Sequence, residues 1–284
     1  MKKLLVATFV ALLMVGCGDG ESPDMSTSVN TSTSPISVDG QYSDEQIVRN
    51  KKGEVIDFIC DYERMSDAGL KRLTGWTTLQ KIDLEASRIT NAGLAQLKGL
   101  NDLQTLIVGG TKITDVGLVH LKEMTHLKTL RLGSDVGTPG ITDAGLAHLK
   151  EMTNLVSLDL SWCGLITDEG VKQLKGLTNL KELNLFNAKI TNAGLRHLKE
   201  MTKLEELVLD HEEITDSGLV HLKGLTNLRN LYLIDAKITD QGLMQLKGLT
   251  KLQLLDLRGT QTTFEGREEL IKALPGNIDV MHDF

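Results

Sequence analysis

One sequence pattern recurs eight times from Met65 onward and constrains the fold more than any other feature of the chain. Two clear copies are ITDSGLVHLKGLTNLRNLYLIDAK at residues 214–237 and ITDQGLMQLKGLTKLQLLDLRGTQ at residues 238–261. Neighbouring copies begin 24 to 28 residues apart, at Met65, Ile89, Ile113, Ile141, Ile166, Ile190, Ile214 and Ile238. A fixed period in this range is typical of a chain whose units stack on one another.

Each copy predicts one short strand and one short helix. Leu231 and Leu233 place two apolar side chains on the same face of a strand, because side chains alternate between the two faces. Thr239 then offers a helix N-cap, and the segment 242–246 has leucines three positions apart. The pattern therefore predicts a strand, a tight turn, a helix and a return segment in every unit.

A glycine stands at the same position near the start of each predicted helix. Glycine in a helix costs up to about 1 kcal/mol relative to alanine, so its repetition indicates a steric requirement. We expect that requirement to be a close backbone approach between stacked units. The glycine column comprises Gly69, Gly93, Gly117, Gly145, Gly170, Gly194, Gly218, Gly242 and Gly266.

The L-x-x-L-x-L spacing with a 24-residue period resembles the leucine-rich repeat. The fuller pattern, I-T-[DN]-x-G-L-x-x-L, is similar to repeats of F-box-associated proteins and of internalin-like bacterial extracytoplasmic proteins. The resemblance covers residues 53–284. It implies an α/β leucine-rich-repeat solenoid, a curved rod with a parallel β-sheet on its concave face and helices on its convex face. Stacking must stabilise such a rod, since one unit buries too little apolar surface to fold alone.

The chain divides into five predicted regions. Residues 65–261 form the eight repeats, residues 41–64 an N-terminal cap, and residues 262–284 a degenerate repeat with a C-terminal cap. Residues 17–40 are rich in Ser and Thr and contain few apolar side chains, which predicts a flexible tether. Residues 1–16 are expected to be a signal peptide.

The first 17 residues, MKKLLVATFVALLMVGC, carry two lysines before an apolar run from Leu4 to Val15. This run is too short to span a bilayer comfortably, and its flanks fit an export signal. Residues 14–17 resemble the lipobox of bacterial lipoproteins, in which the cysteine is acylated after cleavage. The resemblance implies lipidation at Cys17 and a location at the bacterial cell envelope, either periplasmic or surface-exposed. The alternative is simple secretion, with Cys17 incidental.

Composition and motifs exclude several classes of function. The formal charge of −7 disfavours nucleic acid as a partner, because phosphate binding needs a basic excess. We find no nucleophile elbow and no phosphate-binding glycine loop, so we expect no enzyme activity, no cofactor and no metal. A histidine column alternates with Gln, which is a poor zinc ligand, and is read as a polar row. Its histidines are His120, His148, His197 and His221. We expect membrane contact only through the lipid, and a monomer.

The concave face holds the predicted binding surface, because its residues vary while the scaffold repeats. Four apolar residues on three adjacent predicted strands are expected to form an exposed patch with a polar rim, as protein-binding sites do. The alternative is ordinary strand composition, which favours the same residue types. Trp162 lies beside an insertion at residues 133–140, a second candidate site. The candidate residues are Phe186, Val208, Tyr232 and Ile234 in the patch, Glu206, Asp210 and His211 in its rim, and Arg131, Asp159 and Trp162 nearby.

The sequence therefore favours a non-enzymatic module that binds a protein or peptide on its concave face. A structural envelope protein or a glycan-binding repeat protein is the alternative. A ubiquitin-ligase adaptor of the F-box type is a further alternative, but it would require residence in the cytosol.

Overall fold

The computed structural model describes residues 46–60, 65–133, 140–210 and 213–283. Its strands form one eleven-stranded sheet in chain order. The first two strands pair antiparallel, and every later neighbouring pair is parallel. The strands are β1 Gln46–Arg49, β2 Val55–Ile59, β3 Lys81–Asp83, β4 Thr105–Ile107, β5 Thr129–Arg131, β6 Ser157–Asp159, β7 Glu182–Asn184, β8 Glu206–Asp210, β9 Asn230–Ile234, β10 Leu254–Asp256 and β11 Asp279–Met281.

A short helix follows each strand from β2 to β10, on the other side of the core. The α-helices are α1 Asp67–Leu70, α2 Asn91–Gln96, α3 Asp115–Leu118, α4 Asp143–Leu146, α5 Asp168–Gln173, α6 Asn192–Leu195, α7 Asp216–Leu219, α8 Asp240–Leu243 and α9 Phe264–Ala273. Several continue as 3-10 helices, namely Lys71–Gly75, Val119–Leu121, Leu174–Gly176, Arg196–Leu198, Val220–Leu222 and Met244–Leu246. The predicted α/β solenoid with alternating strands and helices is confirmed.

The core lies between the sheet and the helices and is almost entirely aliphatic. Leu231 and Leu233 of β9 are fully buried in it, as the alternation predicted, and Leu243 and Leu246 reach it from the helical side. Burying one such side chain contributes roughly 1.5–3 kcal/mol to folding. One continuous cluster extends from Val55 to Ile278, so neighbouring units share their apolar interior.

A ladder of side-chain hydrogen bonds joins neighbouring units at the helix starts. The Asp216 carboxylate accepts from the Thr239 backbone N–H at 2.8 Å and from its hydroxyl at 2.6 Å. The bond from the backbone N–H recurs at every junction in the described ranges. At the two junctions where Asn replaces Asp, the Asn side chain donates to the threonine hydroxyl instead of accepting from it. The pairs of this inter-repeat ladder are Asp67–Thr90, Asn91–Thr114, Asp115–Thr142, Asp143–Thr167, Asp168–Thr191, Asn192–Thr215, Asp216–Thr239 and Asp240–Thr263.

The inter-repeat ladder explains the glycine column. A Cβ atom built on Gly242 would overlap the Oδ1 atom of Asp216 in the preceding unit. The same overlap would arise between Gly194 and Asp168. The predicted close approach between units is therefore confirmed, but the expectation that backbone makes it is wrong. The approaching group is the side chain of the ladder residue in the preceding unit.

The two cysteines within the described ranges, Cys60 and Cys163, are not joined by a disulfide. Cys163 is fully buried in the core, where it packs as a small apolar residue. Cys60 is half-buried at the core's edge. Cys17, with the predicted leader and tether, lies outside the described residues.

Candidate functional site

The concave face is the side of the sheet turned away from the core. Leu183, Leu207 and Leu231 point into the core, so the residues before and after each of them point to the concave face. The register pairs Asn184 with Val208, and Val208 with Tyr232. Residues so paired on neighbouring strands lie roughly 4.8 Å apart and can pack directly on each other.

The four predicted patch residues come together as one apolar cluster, separate from the core. This concave cluster consists of Phe186, Val208, Tyr232 and Ile234, with Trp162 and Leu254 packed at its edges. The rings of Trp162 and Phe186 have centroids 5.4 Å apart and are tilted by 57°. Trp162 has a backbone φ of +62°, a left-handed conformation that residues other than glycine rarely adopt outside turns. The tight turn after β6 thus places this ring against the cluster.

The prediction that this patch is exposed is wrong. Val208 and Tyr232 are 0% and 1% exposed, and Phe186 and Ile234 are 2% and 6% exposed. The two described members of the predicted polar rim are buried as well, with Glu206 at 5% and Asp210 at 7%. Val208 and Tyr232 are register partners, and the side chains of all four apolar residues pack together as one cluster. His211, the third rim residue, lies outside the described residues.

Glu206 is one of several buried acids on this face. Its Oε2 atom accepts a hydrogen bond from the Asn230 side chain at 2.9 Å. Its Oε1 atom is buried and has no hydrogen-bond partner among the described residues. Burial raises the pKa of Glu206, the Asn230 hydrogen bond opposes the rise, and the nearby carboxylates of Glu182 and Asp159 add to it. Burial also raises the pKa of Glu182, its register partner on β7.

Arg131 and Asp159 lie together beside the concave cluster. The Arg131 guanidinium contacts the Asp159 carboxylate at 3.2 Å and the Glu85 carboxylate at 3.3 Å. Asp159 also accepts from the Ser161 backbone N–H at 2.8 Å. Arg131 therefore already neutralises much of the charge of Asp159, in contrast to the pair formed by Glu182 and Glu206.

Sequence reasoning missed most of one column of this face. It named Glu206 as a rim residue but not the neighbours of Glu206 on the adjacent strands. That column places Glu182 on one side of Glu206 and Asn230 on the other, and it includes Leu254 at the edge of the cluster. The signal was available, because these residues stand two positions before the column that contains Val208 and Tyr232.

The concave face is strongly acidic. Its strand residues include two basic ones, Lys81 and Arg131. They include eight acidic ones, which are Asp57, Asp83, Asp159, Glu182, Glu206, Asp210, Asp256 and Asp279. This distribution favours a partner that brings positive charge.

The part of the chain that the structure describes has neither a metal site nor a membrane-spanning helix. No group of three or more His, Cys, Asp or Glu side chains there is arranged to hold a metal ion. Across the same ranges, every helix is too short or too polar to cross a bilayer.

Comparison with known proteins agrees with the repeat architecture. Residues 151–175 and 176–198 match the family model described as Leucine Rich repeat. No curated protein matches the sequence significantly. The fold is similar to internalin C2 of Listeria monocytogenes, with a TM-score of 0.51, 23% identity and 81% of each chain covered. Internalin F of the same organism aligns with a TM-score of 0.43 and 20% identity, over 82% of this chain and 90% of that chain. The protein is a leucine-rich-repeat solenoid of the α/β class.

Proposed function

We propose that this protein is a non-enzymatic interaction module that binds a protein or peptide through its concave face. The observation that carries the proposal is the separate apolar cluster on that face, next to a buried acid with an unused acceptor. An α/β repeat scaffold does not need these groups for stacking, because the core and the inter-repeat ladder already join the units. Groups that stacking does not require are free to serve recognition.

The variation among repeats supports the same proposal. Core and ladder positions keep the same residue types in every unit, whereas the concave position of β7, β8, β9 and β10 changes from Asn184 to Val208, Tyr232 and Asp256. Aromatic residues such as Tyr and Trp are enriched at the energetic centres of protein interfaces. The candidate surface therefore centres on β6 to β9.

A double variant tests the concave surface. Asp210→Lys combined with Phe186→Ala reverses the charge of one rim residue and removes one ring of the concave cluster, both at buried positions. We expect it to abolish capture of the partner when immobilised protein is crosslinked in envelope extract. A control is Glu151→Lys with Phe264→Ala, which likewise reverses one charge and removes one ring, at exposed positions on the helical side. Capture that survives the concave changes, or is lost equally in the control, would place the partner elsewhere.

We further propose that the module is exported and held at the bacterial cell envelope by a lipid on Cys17. The support is the apolar run of Leu4–Val15 followed by the lipobox-like residues 14–17. Metabolic labelling with radioactive palmitate should label the protein, and Cys17→Ser should remove the label. Absence of label in the unaltered chain would contradict the lipid anchor and leave secretion as the alternative.

A further inference from the structure

The Oε1 atom of Glu206 is buried and lacks a hydrogen-bond partner among the described residues. Buried polar atoms in folded proteins almost always have a hydrogen-bond partner, and each exception needs an explanation. Asn230 satisfies only the other carboxylate oxygen. No described residue donates to Oε1. A donor from outside the described chain would complete the site.

The neighbouring carboxylate of Glu182 makes a positively charged group the best candidate to donate a hydrogen bond to Oε1 of Glu206. Glu182 is the register neighbour of Glu206 on β7, and the two carboxylates repel each other. Neither acid forms an ion pair with a described residue, and burial raises the pKa of Glu182 in spite of the attraction from Lys181. By contrast, Asp159 has Arg131 and Asp256 has Arg258. A single cationic group between the two acids would supply the missing donor and remove the repulsion.

The column that contains these acids is only partly covered around the buried Glu206. Ser157, Glu182 and Asn230 are only half-buried, and they flank Glu206 on both sides. A long side chain could therefore reach the acids along this column. Lys and Arg have the length and the donors for this, since their aliphatic stems can lie on apolar surface while the charged end reaches an acid.

The edge of the concave cluster offers a second place where a bound peptide could make contact. Trp162 and Leu254 are half-buried, unlike the four residues at the cluster's centre. The Nε1 atom of Trp162 is a buried donor that has no acceptor among the described residues. An extended peptide offers backbone carbonyl groups that could accept from it. The face thus lacks a donor at one point and an acceptor at another.

A bound metal ion is less suited to this pair. The described residues contain no group of three ligating side chains around Glu182 and Glu206. Hard cations such as Ca²⁺ take six or more oxygen ligands, which two carboxylates and one amide do not provide. A Lys or Arg side chain needs only the acids already present.

We propose that the concave face recognises an extended protein segment in which a Lys or Arg side chain pairs with Glu182 and Glu206 while a neighbouring apolar side chain packs on Trp162 or Leu254. This inference rests on the proposed function, because it names the kind of partner that the same face binds.

The test is selection from a displayed library of random octapeptides on the purified protein. We expect the selected peptides to be enriched in Lys or Arg next to an apolar residue. Glu206→Gln should weaken their binding at least tenfold, because it removes the charge while an amide can still contact Asn230. Asp83→Asn is the matched control, since it removes one charge from the same face at β3, and it should leave binding within about twofold.

The outcomes separate this inference from the proposed function. Peptides that lose binding on Phe186→Ala with Asp210→Lys but carry no basic residue would overturn the inference and leave the concave site standing. Basic peptides that Glu206→Gln and Asp83→Asn weaken equally would indicate general charge attraction and also overturn it. If every selected peptide ignores the concave changes, or none is selected, both proposals fail. Circular dichroism of each variant checks that the fold is retained.

Discussion

The helix starts and the concave face are built from the same repeats, yet they differ in whether their polar groups have hydrogen-bond partners. At the helix starts, the carboxylate of Asp216 is satisfied by Thr239 of the next unit. On the concave face, the Oε1 atom of Glu206 is buried without a partner in the described ranges. Stacking therefore fixes only those positions that face the neighbouring unit. The other positions can hold groups that a stable fold does not need.

Substitution in the glycine column should give the largest change in stability. Gly218→Val places a Cβ where the Oδ1 atom of Asn192 lies, so the ladder bond must break and the units must move apart. We expect a loss of about 3 kcal/mol in the free energy of unfolding, the upper part of the range for overpacking. Urea unfolding followed by circular dichroism measures it.

The control for this substitution is Gly248→Ala. A Cβ at Gly248 would meet no atom within 4 Å, so its stability should change by less than about 0.5 kcal/mol. Equal losses at the two glycines would show that flexibility, and not contact with the ladder, is what the column requires.

Removing one ladder acid should have a smaller effect. Asp216→Ala leaves the backbone N–H and the hydroxyl of Thr239 without their acceptor, at a cost of about 1–3 kcal/mol. Asp216→Asn should cost much less, because Asn91 and Asn192 fill the same role in two other units. Urea midpoints of the two variants check this order, and a loss as large for Asn as for Ala would contradict it.

The smallest effect on stability is expected at Glu206, where substitution should stabilise the fold and not destabilise it. Its pKa is raised by burial above the ordinary value of 4.5, so the folded protein binds this proton more tightly than the unfolded chain. Stability contributed by this group is therefore present at low pH and is lost as pH rises through the raised pKa. Glu206→Gln should remove this loss and slightly raise the thermal midpoint at pH 7. Thermal unfolding between pH 4 and pH 7 measures it, and a lower midpoint for Glu206→Gln at pH 7 would contradict the prediction.

The fold could be predicted from the sequence because its determinants are local and repeated. A leucine two positions after another predicts a strand with one buried face, and nine glycines at one position predict a close contact. The contacting group was not predictable from a single unit, since Asp216 and Gly242 belong to different repeats and meet only after stacking. The candidate site was predicted less well.

Burial on the concave face depends on side chains of neighbouring strands. The sequence placed Phe186, Val208 and Tyr232 on one surface correctly, but their exposure depends on how these side chains pack across strands. Whether the Oε1 acceptor of Glu206 is used likewise depends on which donors reach it from β7 and β9. These contacts join different repeats and cannot be predicted from the sequence of one repeat.

The inter-repeat ladder also makes the length of this molecule adjustable. Removing residues 214–237 would bring Asn192 next to Thr239, and Asn pairs with Thr in this way at two existing junctions. A whole unit could thus be deleted or duplicated without creating a new kind of joint. Such a change would still remove Tyr232 and Ile234, so a shorter rod would also have a different concave face. A single genetic event could therefore change both the length of the rod and the residues on its concave face.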